Sequence, residues 1–439
     1  MLLRFEVSNH RSIMQPVELS MIAVDEDRPA ARPFELLAER VLTVAGIYGP
    51  NASGKSNVLD ALTWLSEAVG TSLRGWDEFI PRDPFRFGDG PGMFSSFEVE
   101  MMVDGVRYAY TATLDDSEVI FEGLYSYPER RRRSLFEREG MELHLRRGLG
   151  ALSGTRELMT PTTLALSAAM RFDEPDVRSF GRALANIGVL GVRRRMLGRN
   201  RRAFGLATHQ MRRHSTERMF YDNSDPNQLP LFNEPEVDRL SSRESALALL
   251  RFADLGIDDV QVVEEGIAES AASGLGTATE TRRYLRLIHR VADQHLPFDL
   301  FDESEGTQTW FRLIGPTVRA LRTGQTLLFD EIDASLHPKL SARLLELFQD
   351  PETNPRGAQL IFTTHDTSLL NHLNRDEVWL TEKGSDGATV LTALAEYGGD
   401  KVRRSLNLEK AYLQGRFGAV PEFDQHILRR ALGLTPEGR

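Results

Sequence analysis

One segment limits this chain more than any other: Gly49-Pro50-Asn51-Ala52-Ser53-Gly54-Lys55-Ser56, which fits G-x-x-x-x-G-K-[ST]. Its flanks suit it. Residues 41–48 read as a buried strand, and Val58, Leu59, Leu62, Leu65 and Val69 recur at helical spacing. A strand, a glycine-rich turn and a helix start gather successive backbone N–H groups around one anion. Here those groups belong to Asn51, Ala52, Ser53, Gly54, Lys55, Ser56 and Asn57. Gly49 and Gly54 allow backbone angles that a Cβ would hinder. In such a loop the lysine reaches the β- and γ-phosphates of ATP, and the Ser56 hydroxyl ligates Mg²⁺.

Composition makes a chance match improbable. Of the 53 basic residues only five are lysine, and Lys55 is the one lysine in the first 338 residues. The chain has no cysteine, which excludes disulfides, thiol nucleophiles and cysteine-based metal sites. No apolar run reaches the length of a membrane span and no signal peptide is evident, so the expectation is a cytoplasmic protein with no membrane partner. Net charge is −11, which gives no overall attraction to nucleic acid.

Two further apolar runs end in functional residue types. Residues 326–329 end at Asp330-Glu331, where Asp330 would hold Mg²⁺ through water and Glu331 would act as general base on the attacking water. Residues 358–364 end at His365-Asp366, placing a histidine where it could sense a γ-phosphate. Taken singly, an Asp-Glu pair also fits a turn or an N-cap, and a lone histidine also fits a structural role. Their order after a phosphate loop favours the catalytic set of Lys55, Glu331 and His365.

Together these motifs resemble the ABC-type ATPase heads of the SMC, RecF and overcoming-lysogenisation-defect group. The resemblance implies an α/β fold: a P-loop NTPase core plus an antiparallel β subdomain, here with a mainly helical insertion. It makes Asp330-Glu331 the Walker B pair, residues 332–338 the D-loop with Asp333 at the nucleotide, and His365 the switch histidine. Asn9-His10-Arg11-Ser12 resembles the group's N-F-[RK]-S turn, whose basic residue, Arg11, approaches the phosphates. His10 stands where the group has an aromatic residue, which leaves base stacking open at that position. Ser304-Glu305-Gly306 resembles the core of the LSGGQ signature, with Glu305 and Thr307 in place of Gly and Gln. Ser304 and Gly306 would then cap the γ-phosphate of a second copy, and a simple capped helix start is the other reading of that turn. A site shared in this way closes in a head-to-tail homodimer or a higher homo-oligomer. The Q-loop has no assignment, since residues 94–100 contain no Gln.

The expected organisation is 1–170 as the first half of the head, 171–300 as the insertion, 301–400 as the second half and 401–439 as a tail. Asp104-Gly105 reads as a hairpin turn between residues 97–103 and 106–114. The insertion shows no sustained heptads, so no long coiled coil is expected. Residues 222–235 and 268–279 read as loops, and 246–255 as a helix stopped by Gly256. Residues 181–220 hold ten arginines against the single acid Glu217. Arg193, Arg194, Arg195, Arg199, Arg201 and Arg202 could grip a nucleic-acid backbone, meet an acidic protein, or form a solvated face. Arg130-Arg131-Arg132-Arg133 is a second cluster.

Residues 407–421 resemble the N-L-E-K-x-Y-x-x-G-R-[YF]-G-A-x-P ending of ATPases in bacterial abortive-infection systems. That implies a sensor or regulator in anti-phage defence. No nuclease carboxylate set follows residue 366, so the effector is expected to be a separate protein. The alternative is a RecF- or SMC-like ATPase acting directly on DNA.

Overall fold

The computed structural model describes residues 1–34, 38–191, 215–221, 236–253, 256–268, 279–291, 294–334, 336–397 and 407–419. Its centre is a six-stranded sheet in the order Gly188–Leu190, Thr326–Phe329, Gln359–Thr363, Val44–Tyr48, Val378–Lys383 and Thr389–Ala393. The first five strands are parallel and the last is antiparallel. Parallel strands need both faces covered, and these sequences are apolar without alternation. Val44–Tyr48, Thr326–Phe329 and Gln359–Thr363 are buried along their whole length.

The phosphate-loop helix, Lys55–Gly75, covers one face. It buries Val58, Leu59, Leu62, Leu65 and Val69 in a cluster shared with Ala45, Ile47, Leu328 and Ile361 of the sheet. The other face carries the helices Glu305–Thr323 and Pro338–Gln349, through Phe311, Ile314, Val318, Leu345 and Phe348.

A second sheet has seven antiparallel strands. Its order is Glu142–Leu145, Arg133–Glu139, Val119–Ser126, Val106–Leu114, Ser95–Val103, Leu2–Ser8 and Val17–Ser20. The Asp104-Gly105 turn joins two of them as expected. Val103 pairs with Val106, and both turn residues have positive φ, 48° and 78°. The P-loop core and the antiparallel subdomain are thus those of the expected head.

The insertion needs a correction, because among its described residues it is not mainly helical. Its described residues include the helices Pro175–Ala185 and Glu236–Phe252. They also include a three-stranded antiparallel sheet, Ile257–Ala268, Thr279–Val291 and Gln294–Asp299. The physical cause is a period of two: Leu285 and Leu287 are buried while Tyr284, Arg286 and Ile288, which alternate with them, are half-buried. Cross-strand pairs hold the register, Arg283 to Glu264 and Arg286 to Asp299, each at 2.7 Å. The insertion also supplies Gly188–Leu190, the edge strand beside Thr326–Phe329. The expected loop at 222–235 lies outside the described residues, as does most of that at 268–279.

Candidate functional site

The phosphate loop leaves the strand at Tyr48 and enters the helix at Lys55. Its glycines answer to packing as well as to the anion. A Cβ on Gly49, at φ 151°, would lie 2.4 Å from the Thr381 carbonyl oxygen. One on Gly54, at φ 108°, would lie 2.0 Å from Thr389 Oγ1. Both contacts come from the strand pair Val378–Lys383 and Thr389–Ala393, which presses on the loop from behind.

Hydroxyl groups tie the loop to that pair. Thr389 Oγ1 donates to the Ser53 carbonyl (2.8 Å) and accepts from Ser12 Oγ (2.7 Å), which in turn accepts from Asn57 Nδ2 (2.5 Å). Thr381 Oγ1 donates to the Tyr48 carbonyl (3.1 Å) and accepts from Ser53 Oγ (2.6 Å). Asn51 and Ala52 are exposed at the loop tip, where Ala52 has φ 63°. Lys55 is buried, and its Nζ donates to the carbonyls of Gly49 (2.8 Å) and Pro50 (3.1 Å). Burial lowers its pKa to about 8, opposed by the charges of Asp330, Asp333 and Glu331.

The acids are held by a neighbouring strand. Thr363 Oγ1 donates to Asp330 Oδ1 (2.6 Å) and accepts from the Glu331 backbone N–H (2.7 Å). One hydroxyl therefore fixes both residues of the pair. Glu331 adopts φ 54° and is exposed. Asp333 braces the next turn, accepting from Thr364 Oγ1 (2.7 Å) and from the His365 backbone N–H at 3.2 Å. His365 is exposed. Of the stretch 332–338, Ser335 lies outside the described residues.

Ser56, Asn57, Arg11, Asp330 and Glu331 line one cavity of about 590 Å³. Arg11 has φ 51° and pairs with Asp60 (2.9 Å) and Asp83 (3.5 Å). His10 is 1% exposed, bonds Asp60 at 2.8 Å, and meets Phe97 edge-on at 5.8 Å. It is a core residue, and its ring is not presented to the cavity.

Ser304 and Gly306 do not line this cavity. Ser304 is exposed and caps the helix Glu305–Thr323, accepting from Thr307 N–H at 3.2 Å. The turn is anchored to the insertion sheet, since His289 Nε2 lies 2.6 Å from Glu303 Oε1. The arginines 193, 194, 195, 199, 201 and 202 lie outside the described residues.

The C-terminal segment packs against the same site from the far side. Tyr412 meets Tyr48 edge-on at 6.1 Å and donates to the Ala419 carbonyl (2.7 Å). Glu409 accepts from Asn371 Nδ2 (2.7 Å) and Thr367 Oγ1 (3.3 Å), in the turn that follows His365. Sequence reasoning missed Thr363, Thr381, Thr389 and Glu409 as site supports. The one local signal was a threonine at the end of an apolar strand, at Thr363.

A parallel sheet with a phosphate loop after one strand and an acid pair after another defines a P-loop nucleotide hydrolase. The chain belongs to the family described as "AAA domain, putative AbiEii toxin, Type IV TA system", which matches residues 44–148 and 179–371, and it is an ATPase. No curated protein matches by sequence. Among solved structures it is similar to an SMC head bound to the C-winged helix domain of ScpA, at 14% identity and TM-score 0.42, covering 89% of this chain and 97% of that one. It is also similar to the Thermotoga maritima SMC head domain, at 14% identity and TM-score 0.40, covering 89% and 98%. A third is the Pyrococcus yayanosii Smc head with coiled coil and joint, at 12% identity and TM-score 0.42, covering 94% and 98%. Among the described residues no helix is long and apolar enough to cross a membrane.

Proposed function

We propose that this chain binds and hydrolyses Mg²⁺-ATP at two composite sites of a head-to-tail homodimer, and that closure of the dimer signals infection to a separate effector protein. The observation that carries the reading is one cavity lined by Ser56, Asp330 and Glu331, with Lys55 buried beside the same acids. Lys55 and the N–H groups of residues 51–57 hold the phosphates. Mg²⁺ takes few protein oxygens and completes its shell with phosphate and water, and Ser56 Oγ with Asp330 suits that demand. Glu331 is the general base, and His365 with Asp333 reads the γ-phosphate. Arg11 stands in the same lining, its charge offset by Asp60 and Asp83 until a phosphate competes for it. Ser304 is exposed and Gly306 half-buried at a helix N-terminus, where a group acting on another copy can be reached.

The head comprises 1–170 and 301–400, with 171–300 as insertion and 401–439 as tail, in a cytoplasmic protein. The defence role is supported by the toxin–antitoxin wording of the family description and by the abortive-infection resemblance of residues 407–421. Direct action on DNA is the second reading, and it would use the arginines at 193–202.

Glu331→Gln tests the chemistry. Losing a general base slows turnover by about 100-fold or more. Phosphate release should fall accordingly, while sedimentation with ATP shows a trapped dimer. Undiminished turnover rejects Glu331 as base.

A further inference from the structure

The cavity lining combines two chemistries. One belongs to the phosphate loop and the acid pair. The other comes from Phe85, Phe87, Arg86, Lys383 and Gly387. Two phenylalanines in a cavity otherwise lined by charged, hydroxyl, amide and glycine residues need a reason. Phe85 has one in packing, since it is 4% exposed. Phe87 does not, because it is 66% exposed.

The loop that presents Phe87 is held firmly. Asn9, itself 1% exposed, accepts from the Phe85 N–H (2.9 Å) and donates to the carbonyls of Gly90 (2.9 Å) and Met93 (2.8 Å). Arg82 bonds the Met93 and Pro91 carbonyls at 2.6 and 3.1 Å. A Cβ on Gly90 would lie 2.3 Å from the Phe85 carbonyl oxygen, so the loop closes on itself. Phe85 supports the Phe87 ring from its edge, centroids 5.6 Å apart. Across from it, a Cβ on Gly387 would stand 3.8 Å from the ring. The loop is thus built to hold an uncovered aromatic face at the cavity rim, and a flat π-system is what such a face binds best.

We propose that Phe87 is the platform on which the base of the bound nucleotide stacks. This rests on the reading that the Lys55 loop takes the phosphates, which leaves the base for the aromatic part of the lining. His10 cannot serve, being buried against Phe97 and Asp60. Stacking reads the flatness of the base and not its edge.

The test compares ADP with pyrophosphate, which shares the phosphates and lacks the base. Calorimetry on the full chain should show Phe87→Ala binding ADP about 5- to 100-fold more weakly, as for loss of one stacked base, with pyrophosphate unchanged. Phe87→Trp should keep ADP affinity, and its added fluorescence should be quenched by ADP but not by pyrophosphate. Wild-type ADP affinity in Phe87→Ala overturns the proposal. So does equal loss of both ligands, or weakened self-association with ADP binding intact. Failure of the phosphate reading looks different: Lys55→Ala would alter the binding of neither ligand, and both readings would fall.

Discussion

Nucleotide binding should draw a proton onto Lys55 in alkaline buffer. Burial sets the ammonium pKa at about 8, even with Asp330, Asp333 and Glu331 nearby to favour the charge. A bound polyphosphate brings more negative charge into contact with Nζ, and so restores the pKa toward about 10.4 or above. The sign follows: the bound form holds the proton where the free form has lost it, so binding takes up protons and weakens as pH rises through about 8. At pH 9 roughly nine-tenths of free Lys55 is neutral, giving an uptake of about 0.9 proton and about a tenfold loss of affinity relative to pH 7, near 1.4 kcal/mol. Calorimetry with ADP at pH 9, in two buffers of different ionisation enthalpy, reads the uptake directly. The ligand phosphates are already ionised there and contribute none. At pH 6.5 the same measurement should give almost no uptake from Lys55. An uptake near zero at pH 9, with affinity unchanged from pH 7, would show that Lys55 is not the buried phosphate ligand argued above.

Three further outcomes are expected. Thr389→Val keeps the shape but strips the Ser53 carbonyl of its donor; an unsatisfied buried group costs about 1–3 kcal/mol, so nucleotide affinity should fall about 5- to 100-fold, and an unchanged value would separate that hydroxyl from the loop. Ser304→Arg and Lys55→Ala should each abolish turnover alone, while an equal mixture recovers about a quarter by random pairing in a two-fold dimer. Full turnover by Ser304→Arg alone rejects the shared site. Glu409→Ala removes two hydrogen bonds from the turn after His365, and should lower kcat by about 3- to 10-fold with KM for ATP unchanged. A rise in KM with kcat intact would place Glu409 elsewhere in the cycle.

The phosphate loop was legible because its chemistry is local: residues 49–56 are adjacent in sequence, and the strand and helix beside them carry plain periodicities. The acid pair and His365 were legible as ends of apolar runs. Thr381 and Thr389 were not, because their role depends on which strands lie side by side. Nothing in the sequence near either residue says that it will face Ser53 across more than 300 residues. The insertion strands were misread for a related reason. Charged residues such as Glu264 and Arg283 break the apolar run, and make sense only once they are opposite each other. Phe87 was passed over because an exposed phenylalanine has no pattern of its own.

The order of the central sheet bears on how the protein is made. The phosphate-loop strand Val44–Tyr48 has Gln359–Thr363 on one side and Val378–Lys383 on the other. The N-terminal Leu2 likewise waits for Gln359, 357 residues later, to accept its N–H. At about 5–20 residues per second, synthesis leaves that strand without neighbours for roughly 20 to 70 seconds. During this time its two edges, and the face later covered by Glu305–Thr323 and Pro338–Gln349, are open to chaperones and to aggregation. A chain cut short by stalled translation would carry the phosphate loop and yet lack the strands that hold it. Such fragments should bind no nucleotide, so ATP occupancy also certifies that synthesis has passed the strand Thr389–Ala393.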